Sequence, residues 1–371
     1  MVRIGKLNIK PVILLAFVVR LIIVFISKDF PNFDLFSYSK IGDLTLKGIN
    51  IYPSPASTNH PYLPFYLYLE ALAVYLSRFN INLNFFLKFT NIFFDTAITY
   101  LVYIFTNKNL KSSLIYALNP VTILVTSFHG QFDSMPIFFL LLSIFLMKTK
   151  RELFSIFVYS FSILTKTWPL LFAFIFWKKL KIKFNILYIF IFPIISVILY
   201  SCLFHAPFEQ IISTLAKYQG LYGIWGVTQF LSFFNHRYLV QKLAALIFFI
   251  SFTVFNLRIN NKNVFQNFLF ALLFFFSFTS GFSIQYLSWI VPFLLITNSK
   301  FCKTIIIQSS IYLLSHYIAW IAYPNTDIFP GYVKTIQNIS GFILWFSFIK
   351  IWYISANIKL PIAPKPLPCS K

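Results

Sequence analysis

The chain has 371 residues, 58% hydrophobic, 21% aromatic and only 11% charged, with a formal net charge of +22. Fifty Phe exceed what one soluble core of this size can hide. Apolar runs near the roughly 20-residue span of a bilayer recur throughout, so the expected fold class is all-α, a polytopic membrane protein. The runs are continuous rather than alternating, which argues against a barrel. The Lys and Arg residues gather in short clusters between the runs, the pattern of cytoplasmic loops rather than of a nucleic-acid interface.

In chain order, a basic N-terminus precedes a first membrane helix over residues 11–27, with Arg20 inside it and no small-residue cleavage site after it. A polar loop, 28–60, follows on the outer side and carries three of the nine acidic residues, Asp29, Asp34 and Asp43. Its stretch 35–46 has the spacing of a short interfacial helix. Residues 61–79 are apolar but hold Pro61, Pro64, Glu70 and Arg78. Counting them as a span would put the later basic clusters outside, so they are read as lying in the outer interface.

Further spans are expected at 84–105, 112–128, 135–147, 184–204, 238–255, 264–278, 287–296, 304–323 and 339–354. Residues 153–177 read as two half-length helices meeting at Lys166-Thr167-Trp168-Pro169. The total is about twelve membrane helices with both termini inside. Residues 1–356 form one domain, with a catalytic module over about 11–298, and 357–371 form a basic, Pro-rich cytoplasmic tail. Cys202, Cys302 and Cys369 offer no metal spacing and no disulfide framework.

Polar residues that interrupt such a chain need water, a ligand or one another. The densest group is His129-Gly130-Gln131-Phe132-Asp133-Ser134, between two apolar runs. It reads either as a polar turn or as part of a site. Asp34, at a membrane boundary among aromatics, should have a raised proton affinity, which suits a general base; an exposed loop carboxylate is the other reading. Lys166 at its helix break, and Arg20 within the first span, either meet an anion such as a phosphate or snorkel to headgroups. Lys88 and Asp95 share one helical face and suit contacts inside the bundle. His129 with Asp133 has no strong metal spacing. No nucleotide-binding loop and no nucleophile elbow is present. A site on the outer face with no nucleotide needs a substrate already there, which a lipid-linked donor supplies.

Five stretches together resemble the GT-C superfamily of integral-membrane glycosyltransferases. They are Asp34 with Tyr38; Gly48-Ile49-Asn50-Ile51-Tyr52-Pro53 followed by His60-Pro61-Tyr62-Leu63-Pro64; Lys88 to Asp95; Leu118-Asn119-Pro120 leading into His129-Gly130-Gln131-Phe132-Asp133; and Gln285-Tyr286-Leu287-Ser288-Trp289 with Pro292. The last is similar to an element of bacterial polyprenyl-phosphate mannosyltransferase-like proteins. The central hexamer is similar to these and to lipid-linked-oligosaccharide glucosyltransferases, and the first half resembles the GPI mannosyltransferase catalytic subunit.

The resemblance spans about residues 20–292 and implies inverting hexose transfer, mannose first and glucose second, from a polyprenyl-phosphate carrier to a lipid-linked or glycan acceptor. It implies a multi-pass protein of a bacterial plasma membrane, or of the endoplasmic reticulum in a eukaryote, with its active site on the non-cytoplasmic side. Asp34 would be the base. His129, Gln131, Asp133, His60, Tyr62, Gln285 and Tyr286 would bind substrate. Lys166, Arg20 and Arg237 are candidates to hold the phosphate. Relatives with a paired acidic motif in the first loop suggest a divalent metal; here Asp34 is followed by Leu35 and Phe36. The competing class is a transporter or lipid flippase, whose polar groups should lie at the midplane and on both sides.

Overall fold

The computed structural model describes residues 8–30, 32–54, 60–218, 220–221, 223–231, 237–323 and 329–357, with backbone alone for 237–240 and 357. The expected tail beyond Asn357, the Arg237 side chain and residues 324–328 lie outside the described set.

α1 (Lys10–Ser27) starts with Pro11 in its first turn, where a missing amide costs nothing. α2 (Phe33–Leu46) begins where the Asn32 side chain accepts from the amides of Asp34 and Leu35. It starts two residues before the expected boundary, so Asp34 stands in the first turn of a helix rather than in a loop. α3 (Tyr66–Ser77) packs against α2 through Gly42: a Cβ there would lie 2.5 Å from the Glu70 carbonyl oxygen. Only glycine allows that approach. α3 has twelve residues, about 18 Å of helix.

α4 (Leu83–Phe105) is a full-length helix capped by Asn82. The expected single helix at 112–128 is broken. α5 (Leu110–Ala117) stops before Asn119-Pro120, because Pro120 has no amide and biases Asn119 away from helical geometry. Asn119 then caps α6 (Pro120–Ile123), which runs into a π-helical turn, Leu124–His129. Gly130 closes that turn in the left-handed region, at φ +90°.

α7 (Ser134–Lys148) and α8 (Glu152–Thr165) form the next hairpin. The expected break follows: Lys166 is extended, Trp168–Phe172 is 3-10, and α9 (Ala173–Trp177) completes the segment. A 3-10 stretch leads into α10 (Ile191–Phe204). Then come α11 (Phe208–Lys217), α12 (Gly226–Leu231), α13 (Arg237–Arg258), α14 (Val264–Phe278), α15 (Leu287–Ile296), α16 (Cys302–Ala322) and α17 (Gly331–Asn357).

Among the described residues the protein is helical, with one isolated bridge between Leu221 and Phe282. Six helical stretches are long and apolar enough to cross a membrane: Lys10–Ser27, Leu83–Phe105, Lys183–Phe204, Gln241–Arg258, Cys302–Ala322 and Gly331–Ala356. The Gln241–Arg258 span is only 11% buried, and Ile247, Phe249 and Ile250 stand exposed on it. Such surfaces belong in hydrocarbon, and the architecture is that of a multi-pass membrane protein. The shorter α14 and α15 are buried on nearly every side and form the centre of the bundle.

The basic loops close helix ends. Lys178 Nζ donates to the carbonyls of Asn256, Leu257 and Ile259 at 2.6–2.7 Å, satisfying acceptors that the end of α13 leaves without amides.

Candidate active site

The start of α2, the turn after the π-helical segment and the break after α8 meet in one polar cluster. Asp34 Oδ2 takes two bonds. His129 Nε2 lies 2.9 Å from it, and Gln131 Nε2 donates to it at 2.5 Å. Oδ1 accepts from no other described side chain, and the Asp34 side chain stays 33% exposed. Gln131 Oε1 accepts from the Tyr38 hydroxyl at 3.3 Å and from Lys166 Nζ at 3.5 Å. Lys166 Nζ also donates to Asp133 Oδ2 at 2.8 Å, and the Trp289 indole donates to Asp133 Oδ1 at 2.6 Å. Each Asp133 oxygen thus has a partner, and the side chain ties α8 and α15 to the start of α7.

The turn is held by its backbone. Asn32 donates to the His129 carbonyl at 2.7 Å, and Asn91 of α4 donates to that of Gly130 at 3.1 Å. A Cβ on Gly130 would sit 3.1 Å from Lys88 Cγ and 3.2 Å from Leu35 Cδ2. The left-handed φ and this tight packing both require glycine. His129 Nδ1 lies 3.1 Å from the Tyr317 hydroxyl, and its ring packs on Tyr317 and Trp320 of α16.

The raised proton affinity expected of Asp34 is not found. Burial pushes its pKa up, but the hydrogen bond and charge of His129, the amide of Gln131 and the charge of Lys166 together outweigh it. The net shift is downward, so the carboxyl is held ionised. Burial pushes the nearby Tyr38 and Tyr62 phenols well up, and Asp34 adds to both, so they remain protonated.

A cavity of about 900 Å³ begins at this cluster. Its polar end is lined by Tyr62, Lys166, Thr167, Gln285 and Tyr286. The remainder is apolar, with Phe174, Trp177, Phe248, Phe252 and Phe275 in its wall. Trp289 is stacked between Trp168 at 4.2 Å and Tyr286 at 4.1 Å, an aromatic ladder beside the polar end. Lys166 Nζ lies 5.2 Å from the Tyr62 ring and 4.5 Å from that of Phe132.

Of the sequence-derived residues, Asp34, His129, Gln131, Asp133, Lys166, Tyr62, Gln285 and Tyr286 fall at the cluster or the cavity mouth. Arg20 and His60 do not. Arg20 is fully buried and paired to Asp95 at 2.6 Å, with further donors on the Ala117 carbonyl and the Thr122 hydroxyl. It fastens α1 to α4, α5 and α6. His60 is buried against Glu70 at 3.3 Å, beneath the Tyr62 ring. Lys88 and Asp95 do make bundle contacts, but not with each other: Lys88 bonds Ser27.

Tyr317 is not distinguishable in the sequence. In a chain with 21 Tyr and seven Trp, an aromatic residue inside an apolar run carries no contrast.

Among the described residues no three His, Cys, Asp or Glu side chains converge as metal ligands. Asp34 with His129 supplies two donors, and both Asp133 oxygens are taken. This donor set does not fit a resident divalent cation. Comparisons with protein-family models, curated proteins and solved structures return no match.

Proposed function

We propose that this protein is a membrane glycosyltransferase of the GT-C type. It moves a hexose, mannose first and glucose second, from a polyprenyl phosphate to a lipid-linked or glycan acceptor, with inversion. One observation carries the reading. An ionised carboxylate, ordered through one oxygen and free at the other, lies in one cluster with a buried lysine at the polar end of a largely apolar cavity.

In this mechanism Asp34 Oδ1 accepts the proton of the acceptor hydroxyl as that oxygen bonds to the sugar C1. The bond from C1 to the phosphate oxygen breaks, and the polyprenyl phosphate leaves with the electron pair. Lys166 has three N–H groups. One meets Asp133 and one faces Gln131, leaving a donor for the phosphate as its charge grows. The apolar arm of the cavity suits an isoprenoid tail, and the Trp168–Trp289–Tyr286 ladder offers a stacking surface beside the sugar. The His129–Gln131 pair keeps Asp34 oriented and charged.

The reading also takes about twelve spans, adding to the six long ones the shorter α7, α8, α14 and α15 and the interrupted stretches 110–129 and 168–177, with basic loops inside and the cluster on the non-cytoplasmic face. The Arg20–Asp95 pair lies midway along α1 and α4 but is spent on helix contacts, whereas the groups with unspent atoms gather at the polar end of the cavity, which supports an enzyme over a transporter.

The test is transfer of radiolabelled mannose or glucose from its polyprenyl phosphate in membranes, wild type against Asp34→Asn at matched expression. A rate loss of roughly 10²–10⁴-fold in the variant supports the base. Full activity in folded Asp34→Asn removes it. No transfer by wild type across a wider panel of lipid-phosphate sugars removes the function.

A further inference from the structure

We propose that Tyr317, on α16, is a positioning residue that holds the His129 ring with Nε2–H facing Asp34. The inference deepens the reading above and rests on it for its catalytic meaning; its geometric core stands independently. α16 lies beyond the stretch in which the site motifs were found, so this adds a C-terminal helix to the machinery.

The imidazole has two nitrogens with distinct partners. Nε2 points at Asp34 Oδ2 at 2.9 Å, and Nδ1 points at the Tyr317 hydroxyl at 3.1 Å. A carboxylate only accepts, so Nε2 must carry a proton for the first contact to attract. In a neutral ring Nδ1 is then bare and needs a donor, and in a charged ring it carries a proton and needs an acceptor; a hydroxyl serves as either. The Tyr317 hydroxyl is the one side-chain partner it has among the described residues. With the opposite tautomer, a lone pair would face the carboxylate and a buried N–H would face the hydroxyl oxygen.

Tyr317 is itself fixed. It is 1% exposed, its ring lies 5.4 Å from that of Phe128, and Trp320, one turn further along α16, covers the other edge of His129. Asn32 anchors the His129 carbonyl, so the backbone cannot follow a rotating ring. Tyr317 touches neither oxygen of Asp34 and acts through His129.

The groups facing Asp34 come from every neighbouring element. Tyr38 lies on its own helix, and His129, Gln131 and Asp133 lie on the turn. Lys166 stands at the α8 break, with Tyr62, Tyr218 and Tyr317 around them. Lys88, which packs under Gly130, is committed to Ser27. Of these, His129 is the strongest influence that keeps Asp34 charged. Loosening it must let the carboxyl take up a proton more readily.

The experiment compares full-length wild type and Tyr317→Phe in nanodiscs. One readout is the infrared titration of the carboxyl absent in Asp34→Asn. The other is the pH profile of transfer. The expected result is that the carboxyl titration and the acid limb of the rate both move to higher pH, with donor KM unchanged. In a His129→Gln background, where the ring nitrogen that Tyr317 holds is gone, the same Tyr317→Phe change should move neither. Coincident titrations in folded wild type and Tyr317→Phe would overturn the inference. So would an equal shift in the His129→Gln background. A shifted carboxyl in a protein that transfers no sugar from any donor would uphold the positioning role and reject the glycosyltransferase.

Discussion

Arg20 offers the sharpest separation between a structural and a substrate role. Pro120 ends α5, and the Val121 amide that would have bonded the Ala117 carbonyl goes to the Asn119 side chain instead, so that carbonyl loses its helical donor. Arg20 reaches from α1 to supply one, donating Nη1 at 2.6 Å, while Nε pairs with Asp95 Oδ2 at 2.6 Å and Nη2 bonds Thr122 at 3.1 Å. Asp95 is completed by the Tyr116 hydroxyl at 2.6 Å. Arg20→Met leaves a buried carboxylate with one partner and a buried carbonyl with none, so it should destabilise by about 3–5 kcal/mol. Arg20→Lys restores charge but not the fork, and should recover part of this. The double change Arg20→Met with Asp95→Leu removes both charges. It should cost less than the sum of the two singles, with a coupling of about 3 kcal/mol. Equilibrium unfolding in mixed micelles measures wild type, Arg20→Met, Asp95→Leu, the double variant and Arg20→Lys. If Arg20→Met unfolds like wild type while KM for the lipid-phosphate sugar rises, the helix clamp is the wrong account and Arg20 is a phosphate ligand.

Three further outcomes follow from the same geometry. Gly130→Ala places a side chain at φ +90° and within 3.2 Å of Lys88 and Leu35, and should cost about 1–3 kcal/mol in unfolding assays with a parallel loss of transfer. Wild-type unfolding stability with full transfer would contradict the packing described. Trp289→Phe keeps an aromatic ring against Trp168 but removes the indole donor to Asp133. It should lower stability by about 1–2 kcal/mol and slow transfer, where a purely stacking role predicts no change. The pH dependence has a definite sign. The folded Asp34 carboxyl lies below its ordinary 3.8, so it contributes stability above that value and loses it as pH falls through the folded pKa. The acid limb of transfer should therefore lie below pH 3.8, and a limb above it would show that His129 and Gln131 do not control the carboxyl.

Much of the helical layout was legible because hydrophobic length and polar punctuation act locally. The stretches 264–278 and 287–296 were found with their boundaries, since Asn263 caps one and the polar run at 279–285 separates them. The break at Lys166 was visible as a cation beside Trp-Pro. The interruption of 112–128 was hidden in part. Asn119-Pro120 marks a helix start within an apolar run, but the π-helical turn depends on how α6 is pulled against α1 and α4, and no residue type encodes that.

The site divides along the same line. Polar residues in an apolar chain are conspicuous because each must be satisfied, yet their partners are set by tertiary contacts. Arg20 and Lys166 look alike in sequence, each a cation among apolar neighbours. The fold separates them. Arg20 spends its donors on Asp95, a helix end and a threonine, whereas Lys166 keeps a face on a cavity. Asp34 was expected to bind protons more tightly because its aromatic surroundings were visible, while His129 and Gln131, placed by the left-handed turn at Gly130, were not visible as its partners. Candidate chemistry in such a chain is therefore identified less by which polar residues are present than by which retain an unspent atom after the bundle has closed. Asp34 Oδ1 and Lys166 Nζ meet that criterion where the cavity begins, and they are the pair the proposed chemistry uses.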